Sequence, residues 1–230
     1  MKLNFESILQ YSFKIVKDNL FVIILYPFSS AVIIAALYLL GISSSLFFIS
    51  QLTKGISGIL LFWALITLLF GLLTYILEHY LMNIYILLLE SGRVNQAVPV
   101  GQIFKYSLQK TGPVIISLLV YGSLVVVGFI FFIIPGIILL LQYSQVYYLT
   151  LIDGLSIKEA FSESKRMTKG NELRLLFLFI VIGGISYLLG HLLNVIRMPS
   201  ILISLVQLYA GNYLIIVSYS TFYYLKNNCG

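Results

Sequence analysis

Runs of about 20 consecutive residues without a charged side chain recur along this chain, and that is the length needed to cross a hydrocarbon core. Five apolar blocks stand out: Leu20–Leu40, Ile56–Leu77, Pro113–Ile152, Leu173–Val195 and Ser200–Leu225. A water-facing surface is out of reach for such a chain, because only 10% of its residues are charged against roughly 25% in soluble domains. The sequence therefore predicts an all-α, polytopic transmembrane bundle forming a single membrane domain over residues 1–230. No cleavage pattern of small residues follows the first block, so it reads as a retained span and not as a signal peptide.

The third block is about twice the length of one span and contains Ile134-Pro135-Gly136. Proline removes a backbone donor and glycine permits a reversal, so the pair reads as either a kink or a turn between two spans. Charge decides between them. With a turn, one side holds Lys2, Lys14, Lys17, Arg93, Lys105, Lys110, Lys158, Lys165, Arg166, Lys169, Arg174 and Lys226, and the other holds only Lys54 and Arg197. With a kink, the 14 basic residues divide seven against seven. The positive-inside rule selects the turn. The expectation is six spans over about 20–40, 56–77, 113–133, 137–152, 173–195 and 200–225, with both termini in the cytoplasm and the chain in the cell membrane. The fourth span is short for a full crossing.

Three segments on the basic side resemble one another. Ile8-Leu9-Gln10-Tyr11-Ser12-Phe13-Lys14 aligns with Ile103-Phe104-Lys105-Tyr106-Ser107-Leu108-Gln109, and Ala160-Phe161-Ser162-Glu163-Ser164-Lys165-Arg166 keeps the apolar pair and the serine. Each precedes an odd-numbered span. The pattern predicts three units, each an amphipathic interfacial helix (about 4–17, 99–110 and 156–169) followed by a transmembrane hairpin. In the third copy Ser156 and Glu159 form a capping-box pattern, and Gly170 is placed to end the helix.

The stretch Ile133-Ile134-Pro135-Gly136-Ile137, followed by Asp153-Gly154-Leu155-Ser156, Glu159-Ala160, Ser164 and Lys169-Gly170, resembles a group of six-span prokaryotic membrane proteins. The group includes the membrane domain of some glycerophosphodiester phosphodiesterases and the YciC-like proteins. Asp153 stands where glutamate is common in that pattern. The resemblance implies a six-span fold. It does not carry the phosphodiesterase activity, because the chain has no residues left over for the catalytic barrel.

Side chains able to do chemistry are few. Glu78-His79, at the inner end of span two, is a candidate interfacial acid/base pair, though a helix emerging into water with an interfacial ion pair is the simpler reading. His191 sits near the opposite end of span five, and no HExxH pattern occurs. Gln142 and Gln145 in span four and Gln207 and Asn212 in span six are either cavity-lining or helix-packing amides. Gly183-Gly184, Gly190 and Ala210-Gly211 read as sites of close helix approach. Tyr147, Tyr148, Tyr223 and Tyr224 fit an aromatic belt. With no phosphate loop, nucleophile elbow or paired carboxylates, the expectation is a non-enzyme without metal or cofactor.

The function read from these features is that of an accessory, regulatory or envelope-maintenance component. Its expected partners are the lipid bilayer, anionic headgroups at the cytoplasmic face, and a protein partner or a second copy. Nucleic acid is excluded for want of a free basic domain. The alternative is a transporter, or a protein conferring tolerance to an amphiphile, lipid or antimicrobial peptide. It draws on the repeated hairpins and on the four amides. A lipid-acting enzyme using Glu78 and His79 is a third reading.

Overall fold

The computed structural model describes residues 3–27, 31, 57–94 and 98–228, with the backbone alone for 57–64 and 201. Every regular element among the described residues is a helix. They are α1 (Phe5–Asp18), α2 (described over 20–27), α3 (Ser57–Val94), α4 (Val100–Phe131), α5 (Ile133–Gln142), α6 (Val146–Leu151), α7 (Ile157–Thr168), α8 (Glu172–Val195) and α9 (Ser200–Asn228). Five helical segments are long and apolar enough to cross a membrane: Leu65–Val94, Val100–Phe131, Ile133–Leu151, Glu172–Val195 and Leu202–Asn228. Most of the expected first span, together with Lys2, Lys54 and Cys229, lies outside the described residues.

Burial is distributed unevenly along these helices. The core is built from Ile84, Tyr85, Ile86 and Leu89 of α3, Val146–Leu151 of α6, and Ile216, Val217, Tyr219, Phe222 and Leu225 of α9. Ile8 and Ile15 of α1 and Leu175 of α8 close it. At the opposite ends the leucines and isoleucines stand exposed: Leu68 and Leu72 on α3, Ile130–Ile134 around the α4–α5 connection, and Ile185 and Leu192 on α8. Exposed apolar surface on this scale needs hydrocarbon as its solvent. At about 1.5 Å per residue, the 38 residues of α3 reach roughly 57 Å, well beyond a ~30 Å core. Its buried stretch, residues 83–86 and Leu89, belongs to a packed lobe. That lobe also gathers Lys14, Lys17, Arg93, Lys158, Lys165, Arg166 and Lys226, and is called the basic end below.

Two boundaries differ from the sequence expectation. The second amphipathic segment is not a separate helix: α4 runs unbroken from Val100 through Pro113 to Phe131. Proline inside a helix costs about 3 kcal/mol and forfeits a backbone bond. Ties on both sides hold it: Asn83 Nδ2 donates to Thr111 Oγ1 (3.1 Å), and the Ser117 and Thr150 hydroxyls pair at 3.3 Å. The reversal between α4 and α5 also falls before Pro135-Gly136, at Phe132, whose backbone is extended (φ −161°, ψ 148°). Pro135 occupies the first turn of α5, where the missing N–H has no helical partner to lose. Gly136 has a different task. A Cβ there would lie 2.5 Å from the Phe129 ring, and one on Gly128 would lie 2.9 Å from the Gly136 Cα. The two glycines let α4 and α5 run antiparallel in contact, with Tyr121 donating to the Leu140 carbonyl further along (2.9 Å).

Candidate functional site

The three repeated serines converge on one structural role. Ser12, Ser107 and Ser164 are each fully buried, and so, four residues earlier, are Ile8, Ile103 and Ala160. Helical periodicity puts each pair on one face, and that face docks onto the bundle rather than onto lipid. Ser12 donates to its own helix at Ile8 O, Ser107 donates across to Tyr80 O of α3, and Ser164 donates across to Gln142 O of α5. The second copy packs on α3, the third on α6, and the first on α9, the last helix of the chain. Each copy thus leans on the span that precedes it, and the first closes the circuit onto the last.

The third copy repairs a break. Between α5 and α6 the helix opens over Tyr143–Gln145, leaving backbone groups without helical partners. An unpaired backbone group in a non-aqueous interior costs several kcal/mol. Here α7 supplies the partners. Ser164 Oγ donates to Gln142 O (2.8 Å) and accepts from Gln145 N–H (3.2 Å), while Thr168 Oγ1 reaches the same carbonyl at 3.2 Å. Docking in turn depends on a well-started helix. Glu159 accepts from both the N–H and the hydroxyl of Ser156, and these bonds hold its carboxyl below the usual carboxylate range.

The densest electrostatic constellation sits where α3 meets α9. Glu90 Oε2 accepts from Tyr219 (2.6 Å), Tyr223 (2.5 Å) and Arg93 Nε (2.9 Å), while Oε1 takes Arg93 Nη2 at 2.7 Å. The Arg93 guanidinium also lies 4.0 Å from the Tyr223 ring centre. Four donors occupy the carboxylate, so its chemistry is that of a tie and not of a proton acceptor. A second carboxylate repeats the arrangement: Asp153, after α6, pairs with Lys226 of α9 at 2.5 Å. The end of α9 is therefore held by one carboxylate from α3 and one from the α6–α7 loop. Inside this ring Tyr147 donates to Asn83 Oδ1 (2.9 Å), and Tyr26 stacks on Tyr85 at 4.2 Å. A cleft of about 460 Å³ opens beside Glu90 between α3 and α4, with Leu87 and Ile103 as apolar floor and Gln102 and Lys105 as polar rim.

The sequence candidates fall in separate places. Glu78 is exposed, and His79 Nδ1 lies 3.0 Å from Tyr75 O of its own helix with its ring on Tyr75; no ion pair between Glu78 and His79 forms among the described residues. His191 is stacked beside Tyr187 at the far end of α8. Gln145 is buried at the α5–α6 break, Gln142 lends its carbonyl to α7, Gln207 lies against Gly190 of α8, and Asn212 donates to Ile23 O of α2. Gln142 and Gln145 sit together at the α5–α6 break facing α7, while Gln207 and Asn212 meet α8 and α2, so the four do not line one path. Gly190 does sit at a close approach, whereas Gly183, Gly184 and Gly211 have open space where a Cβ would stand. Tyr147, Tyr148 and Tyr223 are buried core, not a lipid-facing belt, and only Tyr224 is partly exposed. Sequence reading missed the Glu90 tie. The i, i+3 spacing of Glu90 and Arg93 was visible, but nothing local pointed to tyrosines 129 and 133 residues away. Comparison with known family models, with curated proteins and with solved structures finds no match.

Proposed function

We propose that this chain is a non-catalytic, six-span membrane protein with both termini in the cytoplasm, serving as an accessory or envelope-maintenance component of the cell membrane. The observation that carries the reading is where its charge is spent. Glu90, Asp153, Glu159 and Glu163 are each committed to a helix tie or cap within the basic end. What remains outward is mostly basic: Lys14, Lys17, Lys158, Lys165 and Lys169 are exposed there, against exposed Glu6 and Asp18. Such a surface suits contact with anionic headgroups, at about 1 kcal/mol per lysine or arginine near the bilayer. The resemblance to the six-span group belongs to the same proposal, because its Gly136, Asp153, Ser156, Glu159 and Ser164 positions are those that hold α4 to α5 and α7 to the bundle.

Gentle extraction from native membranes followed by affinity capture, paired with a deletion strain assayed for envelope permeability, tests the reading. A reproducible membrane partner or altered permeability on deletion is the expected result. A chain that comes out alone, from cells whose envelope is unchanged without it, would contradict it.

A further inference from the structure

Between α8 and α9 runs a groove of about 640 Å³ that opens sideways and is roofed at the basic end by α1. Its walls are Ile185 and Leu189 of α8 and Ala210 and Tyr213 of α9, and its roof is Leu9 and Phe13. Two of the three hydroxyl-bearing residues in its lining are engaged: Ser186 donates to Ile182 O and Tyr209 to Ile24 O. Apart from these and the Tyr213 hydroxyl, the lining is apolar. Lining residues run from Val181 to Leu189 and from Leu205 to Tyr213, about 12 Å along each helix. That is most of the ~15 Å of one leaflet. Both helices are long and apolar enough to cross a membrane, so the open side faces hydrocarbon.

The roof supplies a charge of the right sign. Lys17 lies one helical turn beyond Phe13 on the same face of α1 and is exposed. Its neighbour Asp18 points elsewhere, into a small cleft shared with Tyr11 and Arg93. Glu6, two turns before Phe13, has its carboxylate bonded to Gln10. We propose that the groove is a phospholipid site: one acyl chain lies between α8 and α9 beneath α1, and the phosphodiester meets Lys17 at the roof. The site rests on the reading that these helices cross the membrane with α1 at its surface.

The test reconstitutes the full chain into vesicles of phosphatidylglycerol and phosphatidylcholine containing a trace of phosphatidylglycerol with a diazirine in its acyl chain. Labelled peptides are then mapped after photolysis. The expected result is labelling of α8 and α9 groove positions several-fold above the exposed α4 residues Ile130 and Phe131. Ala210→Trp, which fills the groove, should abolish that excess and leave the α4 labelling unchanged. Lys17→Gln should lower it about five-fold, the loss of one lysine–headgroup contact. Groove labelling no higher than at α4 in the unmodified chain would overturn the proposal, and would show that another part of the chain or a second copy fills the space. An excess insensitive to both Ala210→Trp and Lys17→Gln would overturn it as well. No label on any helix would instead refute the membrane reading beneath it.

Discussion

Ser164 shows how much one hydroxyl can carry when it patches a backbone. It is fully buried and serves two groups exposed by the α5–α6 break. Ser164→Ala should cost about 1–3 kcal/mol, the penalty of leaving a buried polar group unpaired. Exposed Ser162→Ala, two residues away, should stay within about 0.5 kcal/mol. Denaturation midpoints in a mild detergent compare the two. Glu90 carries more charge and less burial. Glu90→Gln leaves Arg93 against Tyr223 without its counter-ion and should cost about 2 kcal/mol, less than the 3–5 of a fully buried pair. Glu90→Gln combined with Arg93→Gln should be less destabilised than the two single changes added together. A double-mutant cycle reads that coupling directly. Glu159 sets a pH dependence. Its carboxyl is held below the ordinary 4.5, so its support for α7 is present above that value and fades as pH falls through the depressed one. Hydrogen exchange of the α7 amides should therefore accelerate in acid, and Ser156→Ala should flatten the dependence.

At the scale of elements, the α4–α5 pair depends on two glycines facing each other. Gly136→Leu drives a side chain into Phe129 and should destabilise by about 1–3 kcal/mol, as overpacking does. Gly183→Ala, in open space within α8, should be neutral or stabilising by up to about 1 kcal/mol through helix propensity. The contrast between two glycines of one chain, read in the same unfolding assay, separates packing from composition. Much at this scale was legible in the sequence. Helices α1 and α7 lie within a residue or two of the expected 4–17 and 156–169, because both are short amphipathic segments with caps or turns at their ends. The second copy was not separable, because nothing local stops α4: a proline can be carried inside a helix when neighbours anchor both flanks. The α4–α5 reversal lies three residues ahead of the Pro135-Gly136 signal for a related reason. Proline and glycine mark turns by propensity, but here the apolar Phe132 turns and the glycine serves contact. The four amides were legible only as residue type. Which helix each one meets depends on packing between segments far apart in sequence.

At the scale of the whole molecule, a packed basic end joins helices whose other ends are sheathed in exposed apolar side chains. The repeated serine face links each unit to the span before it, and α1 closes the series by docking on α9 and on the start of α8. Leu3 N–H donates to Asn171 Oδ1 (2.8 Å), and Arg174 Nη1 donates to Leu3 O (2.7 Å). That closure gives the packed end its unity, and it requires the N-terminal, third-unit and C-terminal segments to share one side of the membrane. The proposed topology puts Arg197, in the α8–α9 connection, on the other side, where the charge pattern of the sequence also expects Lys54. Single cysteines at Lys54, Arg197 and Lys169 in a Cys229→Ser background, together with the native Cys229, can be probed with a membrane-impermeant maleimide before and after permeabilisation. Six spans with both ends inside require Lys54→Cys and Arg197→Cys to label in intact cells, and Lys169→Cys and Cys229 only after permeabilisation. Labelling of Lys169→Cys in intact cells, or an Arg197→Cys that stays silent until they are opened, would contradict that topology.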